Sequence, residues 1–154
     1  MPFLASLKRF ASIRDGQSPD YELGNFEKAL QLLKEAEPIA RAHSDSALLM
    51  LVLNNRALVL QRMGDQREVQ RLFEELLAHS RANGDLHRIG IALHNLALVL
   101  ESRGDYTRAR QFGEEALAGW RELGDRLWEA NTLGLLANIL ASTNQLSEAV
   151  THAQ

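Results

Sequence analysis

Helix-stopping residues recur in this chain at a spacing of forty residues, in two interleaved series. The first series consists of Gly24, Gly64, Gly104 and Asn144. The second consists of the pairs Ser44-Asp45, Gly84-Asp85 and Gly124-Asp125. Glycine and asparagine favour the left-handed backbone that ends a helix, and aspartate caps the start of the next one. The spacing therefore predicts one helix-turn-helix unit that is copied about three and a half times.

The copies can be aligned without gaps. Residues 46–85 and 86–125 agree at 15 of 40 positions, which is more than chance produces. The amphipathic pattern continues to the last residue given. We therefore expect a repeat array at 21–154, divided into 21–45, 46–85, 86–125 and 126–154. Residues 1–20 do not follow the pattern and form an amphipathic segment or a degenerate first helix.

Each copy has the signals of two helices of about 16–18 residues joined by a short turn. Asp45, Asp85 and Asp125 are expected to cap the first helices, and Asp65 and Asp105 the second helices. Glu68 completes a capping-box pattern with Asp65. Asn144 replaces glycine at the end of the last first helix. Gly113, inside a second helix, is expected to relieve crowding next to Phe112 or Trp120.

The copy at 86–125 resembles the tetratricopeptide repeat. The residues that carry the resemblance are Leu93, Leu96-Ala97, Leu100, Gly104-Asp105-Tyr106, Ala109 and Ala116-Leu117. The period exceeds the usual 34 residues and is similar to that of the long-helix subtype in kinesin light chains and bacterial regulators. The resemblance covers about residues 21–154. It implies an all-α solenoid of antiparallel helix pairs, a right-handed superhelix whose first helices line a concave groove for a peptide or a protein segment.

The resemblance places the candidate peptide-binding residues on the exposed face of the first helices. They are Asn54, Asn55, Leu58, Arg62, Ile91, His94, Asn95, Leu98, Glu101, Asn131, Leu135 and Asn138. Asparagine amides can bind the backbone of an extended peptide, and leucines add apolar burial. Two alternatives stay open: the asparagines bond to one another or to a neighbouring helix, or they are only solvated.

Arg56 occupies a column that is otherwise leucine, at Leu96 and Leu136. We expect it either to extend towards solvent or to pair with a carboxylate across a helix interface. The five histidines have no metal-ligand spacing, so no metal or other cofactor is expected. The chain also has no phosphate-binding glycine loop and no nucleophile elbow, and we predict that it is not an enzyme.

The composition narrows the class of partner. The net charge of −3 and the pI of about 5.9 leave no basic excess for binding nucleic acid. Cysteine is absent, which fits a reducing cytosol, and no apolar run approaches a membrane span. We therefore expect a cytoplasmic protein whose partner is a protein or a peptide.

The sequence predicts a protein–protein interaction module with an adaptor or regulatory role. The alternative is a structural protein that forms homo-oligomers through terminal helices, because the irregular start and the abrupt end leave helix faces unpaired. A third reading is a fragment of a larger regulator. Residues 1–20 are expected to pack on the first repeat helix; contact with another protein, with a membrane or with the groove of a neighbouring copy are the other options.

Overall fold

The computed structural model of the chain describes residues 26–42 and 46–152, and the burial of side chains at 26–42 and 47–144. Within these ranges the elements are α1 Phe26–Ala42, α2 Ser46–Met63, α3 Gln66–Ala82, α4 Leu86–Ser102, α5 Tyr106–Leu123 and α6 Arg126–His152. The expected all-α helical repeat is confirmed. The amphipathic segment at 1–20 and the cap at Asp45 lie outside the described residues.

Each glycine-aspartate turn ends one helix and starts the next. Gly104 has a φ of 78°, in the left-handed region that glycine adopts without strain. Asp105 then donates its backbone N–H to the Leu100 carbonyl at 2.9 Å, which satisfies an orphan acceptor of α4. The Asp105 carboxylate accepts the Arg108 backbone N–H at 3.2 Å and caps α5. The predicted caps at Asp65, Asp85 and Asp125 make the same side-chain bond, three residues ahead in each case.

The capping box predicted at Asp65 forms only in part. The Asp65 carboxylate accepts the Glu68 backbone N–H at 3.1 Å, as expected. A complete capping box would also have the Glu68 carboxylate accept the Asp65 backbone N–H. That part of the prediction is wrong, because the Asp65 N–H donates to the Leu60 carbonyl at 3.1 Å. The Glu68 carboxylate instead binds two arginines, Arg56 and Arg71.

The chain divides into two compact units, Met1–Leu72 and Phe73–Gln154, with the boundary inside α3. In the N-terminal unit, α1 packs against α2. Small and branched residues fill this unit, and the buried ones include Ala29, Leu33, Ala40, Leu53 and Ala57. Alanines on both helices allow the close approach that two antiparallel helices need.

In the C-terminal unit, α5 packs against both α4 and α6, and α4 and α6 also contact each other. One buried cluster of this unit consists of Ala97, Leu100, Ala109, Leu117, Leu135, Leu136 and Ile139. These residues repeat at helical spacing, which is why the sequence pattern identified the helices correctly.

Glycines inside two helices of the C-terminal unit allow close packing. A Cβ atom at Gly113 would lie 2.8 Å from the Leu136 side chain, so this glycine makes room for α6. The nearest side chain is thus Leu136 and not Trp120, so the expectation for Trp120 is wrong, while relief of crowding beside Phe112 stays a prediction. Gly90 has that role for Trp120, because a Cβ atom there would lie 2.5 Å from the indole ring.

Helix α6 differs most from the prediction. It runs without interruption from Arg126 to His152, so Asn144 does not end it. The first helices of the earlier copies end at Gly64 and Gly104, both with positive φ. Asparagine tolerates the helical region as well as the left-handed one, and the residues after it carry no other stop signal. The predicted second helix of the last copy is therefore a continuation of the first.

Among the described helices, none has both the length and the apolar character that a membrane span requires.

Candidate functional site

The first helices of two successive copies, α4 and α6, lie side by side in the C-terminal unit. The His94 Nδ1 atom is 2.9 Å from the Thr132 Oγ1 atom. The His94 ring also meets the Trp128 ring edge-on, with centroids 5.2 Å apart. These contacts hold α4 next to α6 within the unit.

Six of the predicted residues on α4 and α6 are exposed or half-buried. On α4, Ile91, Asn95, Leu98 and Glu101 are half-buried, which is typical of side chains at the edge of a contact. On α6, Asn131 and Asn138 are exposed. Ile91 shares its repeat column with Asn131, and Leu98 shares its column with Asn138. We call these six residues, Ile91, Asn95, Leu98, Glu101, Asn131 and Asn138, the α4–α6 surface.

The exposure predicted for His94 and Leu135 is wrong, because both side chains are buried. His94 faces α6 rather than a groove, and burial lowers the pKa of its imidazole below the usual value. Leu135 belongs to the buried cluster that α4, α5 and α6 share. These two residues hold the helices beneath the α4–α6 surface, and neither side chain is available to a ligand in this conformation.

In the N-terminal unit, the predicted residues on α2 divide in the same way. Leu58 and Arg62 are exposed and Asn54 is half-buried. Asn55 is only 3% exposed, so its predicted exposure is wrong. It shares its column with Leu135, which is also buried, and with the half-buried Asn95. This column therefore faces the helix packing more than it faces solvent.

Arg56 pairs with carboxylates across helix interfaces, which confirms one of its two predicted arrangements. Its guanidinium donates to Glu37 on α1 and, at 2.7 Å, to Glu68 on α3. Burial raises the pKa of Glu37, but the hydrogen bond from Arg41 and the charge of Arg56 outweigh burial and lower it overall. For Glu68, the hydrogen bond from Arg71 is the largest cause of a lowered pKa. This cluster joins three helices of the N-terminal unit.

Sequence reasoning missed the residues that join α4 to α6. Thr132 is fully buried and occupies a column held by Val52 and Ala92 in the other copies. A single hydroxyl in an apolar column was the available signal, because a buried hydroxyl needs a partner. That partner is His94.

No cluster of three or more potential metal ligands occurs within the described part of the chain. The α4–α6 surface has three amides, one leucine, one isoleucine and one carboxylate. This chemistry is suited to holding another polypeptide by hydrogen bonds and apolar contact.

The comparison with known families agrees with the repeat pattern. The family model described as tetratricopeptide repeat matches residues 88–154, which cover α4, α5 and α6. A search of curated proteins gives no match. Tetratricopeptide repeats are protein–protein interaction modules and are generally not catalysts. The prediction of this family is thus confirmed, and residues 88–154 belong to the tetratricopeptide repeat family.

Proposed function

We propose that this protein is an interaction module that binds an extended segment of another protein on the α4–α6 surface. The observation that carries the proposal is the alternation of exposed or half-exposed amides with a half-buried leucine. Asn95, Asn131 and Asn138 offer both donors and acceptors, and Leu98 offers apolar area next to them. An extended peptide has free backbone N–H and C=O groups on both sides that match such amides.

The magnitudes decide how many contacts this surface must supply. A net hydrogen bond contributes roughly 1 kcal/mol, and micromolar binding requires about 8 kcal/mol. Three asparagines therefore do not suffice without apolar burial, which Leu98 and Ile91 would provide. Affinity in the micromolar range is what such a surface supports, and it suits an adaptor or regulatory contact that must form and dissociate.

In the N-terminal unit, Asn54, Leu58 and Arg62 form a second group of accessible polar and apolar side chains on a first helix. We propose that this group, taken by itself, is a further contact site for a polypeptide. Because Arg62 is the one cation among the proposed residues, a partner that relies on clamping a terminal carboxylate is a poor fit. The absence of cysteine from the sequence supports a cytoplasmic setting for this contact.

A peptide selection tests this function. A library of random displayed peptides is selected on the chain, and the affinity of a selected peptide is measured by fluorescence polarisation. The double variant Asn131→Ala/Asn138→Ala should weaken binding about 10–30-fold, which corresponds to two hydrogen bonds. Both side chains are exposed, so the thermal unfolding midpoint should change little. The matched control is Glu122→Ala, an exposed position on α5.

Equal affinity of the double variant and the control would show that the selected peptide binds elsewhere. Failure of selection to enrich any peptide would argue against the proposed function as a whole.

A second candidate function is self-assembly, and one observation favours it. Helix α6 leaves Leu133 and Leu140 exposed by 43% and 47%. Both belong to columns that are buried on α4, at Leu93 and Leu100. Exposed leucines at helical spacing form an apolar face of the kind that mediates contacts between chains. Light scattering across a range of concentrations tests this candidate, since a chain that stays monomeric throughout does not assemble.

A further inference from the structure

Helix α6 presents a face that lacks its partner helix. In α4, five positions on one side are buried: Gly90, Leu93, His94, Ala97 and Leu100. Their counterparts forty residues later are all exposed in α6: Ala130, Leu133, Gly134, Ala137 and Leu140. We call these five α6 residues the open face. It adjoins the core of the C-terminal unit, because Leu136 and Ile139 next to it are buried there.

The preceding copy shows which element covers such a face. On α4, His94 of this face contacts α6, whereas Gly90 and Ala97 are covered by α5, whose small residues allow close approach: a Cβ atom at Gly113 would lie 4.0 Å from the Ala97 Cβ atom. Trp120 lies against Gly90 in the same interface. As the chain advances along α5, its contacts move backwards along α4, so the two helices are antiparallel. The occupant expected for the open face is therefore an antiparallel helix of the second-helix type.

A surface groove marks where that helix would enter. It has a volume of about 320 Å³ and lies between α5 and α6. Its lining includes Tyr106 and Arg110 on α5 and Leu140 and Thr143 on α6. Leu140 belongs to both the groove and the open face, so the two features form one continuous surface.

The residues that the repeat pattern assigns to this surface, 145–152, do not lie on it. Residues 145–152 follow Asn144 in the position of a second helix, and Ala149 stands in the column of Ala109. In the structure they extend α6 to 27 residues as a continuous helix. A straight helix cannot turn back onto its own side, so these residues cannot cover the open face of their own chain.

A second copy of the chain can cover the open face. In the α4–α5 interface, the numbers of contacting residues add to 210, as at Gly113 with Ala97 and at Trp120 with Gly90. Forty residues later in both helices the same register requires numbers that add to 290. Two α6 helices related by a twofold axis perpendicular to both helices are antiparallel, and this register places the axis at residue 145. Position 140 of one chain then meets position 150 of the other.

We propose that two chains exchange residues 145–152 reciprocally, each segment docking on the other chain at the C-terminal end of its open face, next to Leu140. The proposal rests on self-assembly, the second candidate function. It differs from general apolar association because it specifies the occupant, the register and a hinge at Asn144. Exchange of identical elements is a low-cost route to a dimer, since each chain uses an interface already encoded for itself.

Two substitutions at the hinge give opposite expected results. Asn144→Gly introduces the residue found at Gly64 and Gly104, favours a turn and weakens the dimer. Asn144→Ala favours the continuous helix and strengthens it. The helix penalty of glycine relative to alanine corresponds to about 5-fold per chain, so the dimer dissociation constants of the two variants should differ by up to about 25-fold, the limit reached when the unpaired chain turns at position 144.

Substitutions on the face provide a matched pair. Leu140→Glu places a charge in the proposed contact and should weaken the dimer about tenfold or more. Leu127→Glu is the control, because Leu127 is 70% exposed and its counterpart His87 is exposed as well. Circular dichroism checks that both variants keep their helices. Dissociation constants come from light scattering between about 1 µM and about 500 µM.

A distance measurement separates exchange from other dimers. The chain has no cysteine, so a single spin label can be attached at Asn131→Cys, which is exposed. Position 131 lies 14 residues from the proposed axis, which places two labels roughly 40–50 Å apart at 1.5 Å per residue along each helix.

Each outcome decides between the proposals. A dimer with this distance and with the predicted order of the Asn144 variants supports helix exchange. A dimer that lacks the distance, or that responds equally to Leu140→Glu and Leu127→Glu, overturns helix exchange but leaves self-assembly standing. A monomer at every concentration overturns both. Peptide binding is measured on Leu140→Glu, so its success or failure is independent of dimer formation.

Discussion

Among the described glycines of the C-terminal unit, Gly90 is the one where an added methyl group should lower stability most. A Cβ atom there would lie 2.5 Å from two carbon atoms of the Trp120 ring, whereas carbon atoms normally approach to about 3.5–4.0 Å. Trp120 is fully buried, stacked on Trp128 at 5.2 Å and in edge contact with His87 at 5.3 Å. The ring would have to move by about 1 Å against these neighbours.

The magnitude follows from two opposing effects. Overpacking a dense core costs about 1–3 kcal/mol, while replacing a helical glycine by alanine gains about 1 kcal/mol. Gly119→Ala is the matched control, because a Cβ atom at Gly119, inside α5, would meet nothing within 4 Å. The control receives only the gain. Gly90→Ala should therefore be about 1–3 kcal/mol less stable than Gly119→Ala.

Urea unfolding followed by tryptophan fluorescence measures this difference. The chain has two tryptophans, Trp120 and Trp128, and both lie in the cluster beside Gly90, so the signal reports directly on this packing. If Gly90→Ala proves as stable as Gly119→Ala, the close approach of α4 to the Trp120 ring is not a feature of the folded protein.

Three further predictions concern stability. Arg56→Ala should lower the free energy of unfolding by about 1–3 kcal/mol in urea titrations, because it leaves the half-buried carboxylates of Glu37 and Glu68 without the cation that joins them; an unchanged midpoint would contradict this. Asp105→Ala should cost about 0.5–2 kcal/mol through loss of the α5 cap, a loss that Asp105→Asn should largely avoid. The pKa of His94 is lowered in the folded state, so the unfolded chain binds the proton more readily and stability should fall as pH drops below about 6.5. His94→Gln should flatten that slope between about pH 7 and pH 5, and an identical slope would assign it to other groups.

Sequence periodicity was sufficient for the helices up to α5, for a local physical reason. Gly64 and Gly104 have a left-handed backbone. The aspartate after each one donates its backbone N–H to the helix that ends there, and its carboxylate caps the helix that follows. These requirements are satisfied within a few residues, so the sequence alone shows them. At Asn144 no residue imposes the left-handed region, and the ending of α6 depends on what packs against it.

The exposure of individual side chains was harder to predict, because it depends on the neighbouring helix. Asn55, Asn95 and Leu135 share one column, yet two of them are buried and one is half-buried. His94 is buried because Thr132 and Trp128 stand opposite it on the next first helix. Column equivalence places a residue on a helix face, and only the packed neighbour decides whether that face meets solvent.

Chemical-shift mapping of the C-terminal unit tests the proposed binding surface most directly. A selected peptide is titrated into the isotopically labelled chain, and backbone amide shifts are followed. The proposed function predicts that the largest changes cluster around Asn95, Leu98 and Asn131, on α4 and α6. Changes that cluster instead along α5, or around Leu140 on the open face, would contradict it.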